Sequence, residues 1–339
     1  MGPYSILTPA GASFSTAGGG YDLEMEGLDG LDAAIIECEA TEDGFIAAAG
    51  RADAVYAKGM VFTRRMIDAL PVSCRGIVVG TVGVDYVDVA AATARGIPVT
   101  NCPDTFIEEV ADHAMTLLLA GHRRVVEQDR LVREGRWHEG RPRLQQIPRL
   151  MGSTLGFIAF GHVARATAVR AKPFGLRMLA YDPYLSELAM PPCGVEPATL
   201  EEVLRGSDFV SMHAPATAKT QGMLTERHFR LMKPTAWFIN TGRGATVDED
   251  ALIRALREGW IAGASLDVLA QEPPRADNPL LQMTNVVLSG HTASASARFD
   301  PARKRRVGQE LALLLTGNWP MNCVNPSVLA ASALRRWQP

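Results

Sequence analysis

Short apolar and β-branched runs alternate with helix-spaced stretches along almost the whole 339-residue chain, and this alternation constrains the fold most. SILTP near residue 5, AAIIE near 33, DAVYAK near 53 and GIVVG near 76 read as buried strands. Residues 41–50 and 63–70 have helical spacing, and Asp85 to Arg95 forms a further amphipathic segment. From Leu155 the pattern restarts: LGFIA, RMLAY, DFVSM, AWFIN, GASLDV and NVVLS, with helical segments at 162–172, 199–206, 225–232 and 248–258. Strands that alternate with helices imply parallel sheets with helices on both faces. The chain is therefore predicted to be α/β, with two parallel-sheet lobes, the second larger. Its length agrees, at roughly 100–200 residues per domain.

Between the lobes, one long helix is expected from about Thr105 to Glu134. Pro103 and Asp104 are start signals, and Glu108 and Glu109 favour its first turn through the helix dipole. Its AMTLLLAG run is apolar on too many sides for a surface helix, which predicts a buried connector or a subunit interface. Residues 136–153 lose the period, contain two prolines and several arginines, and read as an exposed excursion. A last helix, Ala302 to Thr316, should stop at Gly317 before an extended tail.

Composition excludes several classes. With 47% hydrophobic and 21% charged residues, the chain has enough apolar surface to offset the entropy of ordering. A net charge of -3 argues against a dedicated nucleic-acid binder, whose affinity rests on neutralising phosphates. No uncharged apolar run approaches the ~18 residues of a membrane span. The first residues lack a basic n-region, which predicts a cytoplasmic protein without a secretory leader. Five scattered cysteines, none in a CxxC spacing, predict reduced thiols and no structural metal site.

The strand LGFIA runs straight into AFGHVARA, a degenerate form of the dinucleotide turn G-x-G-x-x-G/A. Its small residues would be Ala159, Gly161 and Ala164, with His162 and Val163 opening the helix beside the pyrophosphate. Gly161 matters most, because the backbone must approach the pyrophosphate with no Cβ in the way. Asp182 ends the next strand, 23 residues after Ala159, where a carboxylate would accept hydrogen bonds from the adenosine ribose hydroxyls. A 2′-phosphate about 5 Å from that carboxylate would be repelled by roughly 3 kcal/mol per unit charge at an effective dielectric near 20. NAD is the predicted cofactor.

In open α/β sheets ligands sit beyond the carboxyl ends of strands. Here those ends carry His213-Ala214-Pro215, Thr241-Gly242-Arg243-Gly244, Asp267 with Glu272 shortly after, and Gly290-His291. An arginine holds a carboxylate by two parallel bonds and polarises a neighbouring carbonyl. A histidine exchanges the alcohol proton near neutral pH. A buried glutamate beside it would favour the imidazolium and raise its pKa. With hydride from a nicotinamide, this set suits interconversion of 2-hydroxy and 2-oxo acids.

Over residues ~75–327 the sequence resembles the D-isomer-specific 2-hydroxyacid dehydrogenase family. GVDYVDVAAATARGIPVTNCPDTFIEEVADHA is similar to its substrate-lobe and hinge signature. FINTGRGATVDEDAL, SLDVLAQEPP and LSGHTAS resemble its three active-site segments. The resemblance implies two Rossmann-like lobes with the active site in the cleft between them. Residues 103–294 would be the NAD-binding domain, and 1–102, completed by 295–339, the substrate domain. Arg243 would bind substrate, Glu272 would partner the histidine, and His291 would be the acid/base. Asp267 would hold the nicotinamide carboxamide, with Thr241 and Gly242 alongside its ribose. The Gly80-Thr81-Val82-Gly83 turn would offer N–H groups to the substrate carboxylate, and Lys58 aligns with a frequent substrate-lobe arginine.

The resemblance also implies a homodimer built around the central helix. Its C-terminal-binding-protein branch, which includes NAD(H)-sensing corepressors, is similar around the dinucleotide turn and YDPYLSE. Ser294 stands where that branch usually has tryptophan. A small 2-hydroxy or 2-oxo acid is the expected partner, with no nucleic acid, membrane or metal.

Overall fold

The computed structural model describes residues 3–11 and 20–336. The chain forms two compact units, Met1–Thr105 with Ser296–Pro339, and Phe106–Ala295. In the first, β1 (Tyr4–Pro9), β2 (Ala33–Cys38), β3 (Ala54–Ala57), β4 (Ile77–Val79) and β5 (Val99–Thr100) form a parallel sheet ordered β2-β1-β3-β4-β5. The helix Phe299–Leu315 closes this unit by packing Val307, Leu311, Leu314 and Leu315 with Ile6, Tyr56 and Val78. Val99 is then bonded on both sides by the returning tail: its N–H donates to Asn325 Oδ1, and its carbonyl accepts from Val324 N.

The second unit holds β6 (Thr154–Ile158), β7 (Arg177–Tyr181), β8 (Glu196–Pro197), β9 (Phe209–Met212), β10 (Trp237–Asn240), β11 (Gly263–Leu266) and β12 (Val286–Leu288). All run parallel in the order β12-β11-β10-β9-β6-β7-β8. Every residue of β6, β9, β10 and β11 is buried, as expected where helices cover both faces. The chain leaves β6 toward β7 on one side and later returns to β9 on the other. The carboxyl end of β6 is therefore the switch point where such sheets bind ligands.

Three sequence expectations need correction. The long helix is two, Ile107–His122 and Val125–Arg133, because Arg124 turns left-handed at φ 53° and ends the first hydrogen-bond ladder. Its guanidinium then lies 4.3 Å from the centre of the Trp237 ring. The first of these helices starts at Ile107 without a side-chain cap, while Asp104 pairs with Arg306. Within the excursion lies an exposed helix, Trp137–Leu144, with Pro142 inside it. Arg136 and Arg143 both pair with Glu139 at helical spacing, replacing part of what the proline removes. The pairs β5 and β8, too short to show a period, and the helix Asp22–Gly27 have no counterpart in the sequence reading. Among the described residues, no helix is long and apolar enough to cross a membrane.

Candidate active site

The turn after β6 begins with Ala159 at φ 67°. An L-residue there costs roughly 1–2 kcal/mol, a cost that glycine at the first fingerprint position would not carry. Two bonds hold the turn in place. Ala159 N donates to Tyr181 O at 2.8 Å, and Phe160 N donates to Asp182 Oδ2 at 2.9 Å. Asp182 Oδ1 also accepts from Tyr184 N and Leu185 N, so this carboxylate organises the turn as well as facing it. The helix His162–Ala171 follows, with Gly161 as its uncapped N-terminal residue and no acid in its first turn. A Cβ built on Gly161 would meet nothing within 4 Å. Nothing in the protein requires a glycine there. An anion at the uncapped helix start would use that space.

His213 follows β9 and donates its backbone N–H to Ile158 O at 2.9 Å, fixing its segment beside the turn. Its ring lies 2.8 Å from Ser211 Oγ, and burial pushes its pKa down to about 4, so it stays neutral near pH 7. Ala214 O would lie 3.1 Å from a Cβ on Gly242, so the Ala214-Pro215 and Thr241-Gly242 segments pack together. Thr241 Oγ is buried with no hydrogen-bond partner among the described residues. Asn240, fully buried at the end of β10, accepts from Gly242 N at 2.9 Å and donates to Arg243 O at 3.1 Å. That clamp sets the turn carrying Arg243. Gly244 is needed for a different reason: a Cβ there would lie 2.0 Å from the Leu269 carbonyl, so only glycine brings Arg243 beside the loop of Glu272.

Glu272 Oε2 meets His291 Nδ1 at 2.6 Å, and Glu272 Oε1 accepts from Leu269 N at 3.0 Å. Burial raises the Glu272 carboxyl, but the bonds from His291 and Leu269 and the charges of His291 and Arg243 outweigh it and hold it below its ordinary value. The glutamate is not the buried group the sequence reading assumed; the side chains of His291 and Glu272 are 41% and 35% exposed. Ser294 is part-buried two residues beyond Thr292, whose N–H, like that of Ala293, donates to Asp267. Burial opposes ionisation of Asp267, yet His113, Ser289 and those two N–H groups hold it well below the usual carboxylate range.

The second unit thus brings Ala159, Gly161, His162, Val163, Asp182, His213, Ala214, Pro215, Thr241, Gly242, Arg243, Asp267, Glu272, His291 and Ser294 to one edge of one sheet. Lys58, Thr81, Val82 and Gly83 belong to the first unit. There Thr81 Oγ donates to Gly83 O at 2.6 Å, Asn101 Nδ2 donates to Val82 O at 2.5 Å, and Cys102 N donates to Thr81 O at 3.1 Å. These bonds tie up the carbonyls of all three turn residues. Lys58 is nearly buried, donates to Gly11 O and Tyr21 OH, and has its pKa lowered by burial. Sequence reading missed His113, Asn240, Ser289 and Asn101. For Asn101, Asn240 and Ser289 the available signal was a short polar residue at or just beyond a strand end; His113 lies inside a helix and carried no such signal.

Fold and turn together define a doubly wound, dinucleotide-binding α/β protein. Residues 115–293 match the D-isomer specific 2-hydroxyacid dehydrogenase, NAD binding domain, family. The chain is 47% identical to a glyoxylate reductase of Korarchaeum cryptofilum over 249 residues, 73% of this chain and 75% of that one. A glyoxylate reductase of Thermococcus litoralis is 42% identical over 255 residues, 74% and 77% of the two chains. The NADPH-dependent glyoxylate/hydroxypyruvate reductase of Sinorhizobium meliloti, solved with NADP and malonate, superposes with TM-score 0.83 at 30% identity over 99% of both chains. The protein belongs to the D-isomer-specific 2-hydroxyacid dehydrogenase family and is an NAD(P)-dependent dehydrogenase. A nicotinamide dinucleotide fits its residues: the open space at Gly161 and the uncapped helix start behind it suit a pyrophosphate.

Proposed function

We propose that this enzyme interconverts a small 2-oxo acid, of glyoxylate or hydroxypyruvate size, with its 2-hydroxy acid, and prefers NAD(H). The bound nicotinamide supplies or receives the hydride. Gly161, His162 and Val163 would hold its pyrophosphate, Asp182 the adenosine ribose, and Thr241 and Asp267 the nicotinamide end. Arg243 binds the substrate carboxylate and polarises the carbonyl to be reduced. His291 gives its proton to the carbonyl oxygen during reduction and removes it from the hydroxyl during oxidation. Glu272 orients the ring through Nδ1 and stabilises its charged form. In the first unit, the Thr81–Gly83 turn is read as a further anion-receiving element and Lys58 as part of its surroundings. The observation that carries this reading is the 2.6 Å bond between His291 and Glu272, on the same sheet edge as Arg243.

A homodimer is part of the same reading. Val125, Val126, Val132 and Trp137 are exposed apolar side chains on neighbouring helices of the second unit, a patch suited to a second copy. Light scattering of the purified chain reads this directly, and a monomer at micromolar concentration would refute it.

The test of function follows NADH absorbance with glyoxylate, hydroxypyruvate, pyruvate and longer 2-oxo acids. Turnover should be fastest with the two smallest polar substrates. NADH binding without oxidation by any of these acids would overturn the proposal and favour a dinucleotide sensor.

A further inference from the structure

We propose that His113 is a positioning residue that fixes the placement of His291 through Ser289 and Asp267; this rests on the acid/base role proposed for His291. His113 lies on the helix Ile107–His122, and its Nε2 is 2.9 Å from Ser289 Oγ and 3.5 Å from Asp267 Oδ1. Ser289 Oγ donates its single proton to Asp267 Oδ1 at 2.6 Å. Asp267 is held strongly toward its ionised form and can only accept. The serine proton is therefore committed, and toward His113 the serine oxygen can act only as acceptor. His113 must carry a proton on Nε2. Its role in this network is that of a donor.

Asp267 in turn holds the segment of His291 from both sides. Its backbone carbonyl accepts from His291 N at 2.8 Å. Its carboxylate accepts from Thr292 N at 2.9 Å and from Ala293 N at 3.0 Å. Between these bonds His291 sits at φ 53°, a conformation that an L-residue keeps only where its surroundings over-determine it. Removing the Nε2 donor frees Ser289 and leaves the buried Asp267 charge with one fewer bond, loosening the grip on Thr292. The imidazole then loses its alignment while its link to Glu272 and the cofactor turn remain.

The experiment compares His113→Leu, which removes the donor, with His113→Gln, whose amide N–H reaches to a similar place. For His113→Leu, kcat should fall at least about tenfold, as expected for a misplaced reacting group. His113→Gln should recover most of the lost kcat. Nitrogen-detected NMR of the free protein gives a readout independent of turnover. It should show a proton on His113 Nε2 and altered His291 ring signals in the Leu variant but not in the Gln variant. Should His113→Leu fail to fold, Ser289→Ala breaks the same bridge from the other end and should give the same kcat loss and the same ring shifts. Equal kcat in the unaltered, Leu and Gln proteins, or a bare His113 Nε2, would overturn the inference. An active His291→Ala protein would instead refute the underlying acid/base reading, while the NMR comparison still decides whether His113 positions that loop.

Discussion

Ala159 and His291 occupy the same left-handed backbone region, at φ 67° and 53°, at opposite ends of the candidate site's chemistry. At Ala159 the side chain is a methyl, and the turn needs only the backbone path. Glycine would follow that path without strain. At His291 the strained backbone carries the imidazole that meets Glu272 at 2.6 Å, and Asp267 brackets it with three bonds. The strain at the first position is separable from function, and the strain at the second is part of how the ring is aimed.

That contrast is broken most severely at the histidine. His291→Ala should lower turnover in both directions by about a thousandfold, within the range expected for loss of a general acid–base, while NADH still binds. His291→Gly should be as inactive yet more stable, because it relieves the same strain. Turnover near normal in either variant would show that the ring is not the proton-transfer group.

Arg243 sharpens the comparison on the substrate side. Arg243→Ala should reduce kcat/KM for the 2-oxo acid by about a hundredfold, as two charge-assisted bonds are lost, with NADH affinity nearly unchanged. Arg243→Lys should recover only part, since an ammonium cannot reproduce the planar fork. Steady-state kinetics with both variants decides this. Loss of NADH binding alone would move Arg243 out of the substrate role.

The cofactor end predicts smaller effects. The unaltered enzyme should prefer NADH over NADPH by at least about tenfold through Asp182, and Asp182→Asn should narrow the ratio. Equal efficiency with both cofactors would refute the assignment. Smallest of all, Ala159→Gly should leave kcat unchanged and raise unfolding free energy by about 1 kcal/mol in a denaturant titration. Destabilisation would mean that the methyl packs favourably enough to outweigh its strain.

The alternation of strands and helices was legible because parallel strands are nearly continuous apolar runs, and all six strand candidates after Leu155 correspond to β6, β7, β9, β10, β11 and β12. Thr41, Thr63, Thr199 and Asp248 accept hydrogen bonds at helix starts that fall within one residue of those expected at 41, 63, 199 and 248, whereas the helix expected from Asp85 starts later, at Val89, behind Asp88. The break at Arg124 was not legible, because an arginine carries no helix-stop signal; its guanidinium lies over the Trp237 ring. Motif reading named Arg243, Glu272 and His291. It could not see Ser289 or His113, whose roles exist only once residues distant in the chain are side by side, as these two are across 176 positions; Asn240, which bonds Gly242 and Arg243 two and three residues on, was passed over although its role is local.

The central claim is that His291 exchanges the substrate proton under the charge of Glu272. Glu272 is held below its ordinary value, so its contribution is fully present above the usual carboxylate range and is lost only as pH falls through that lowered value. Across neutral pH it remains ionised beside the imidazole. The direct test is a pair of pH–rate profiles, reduction and oxidation, for the unaltered protein and for Glu272→Gln. Reduction should fail as pH rises and oxidation as pH falls, and in the variant both limits should move to lower pH, since the imidazolium loses its neighbouring negative charge. Profiles that coincide in the two proteins would contradict the pairing.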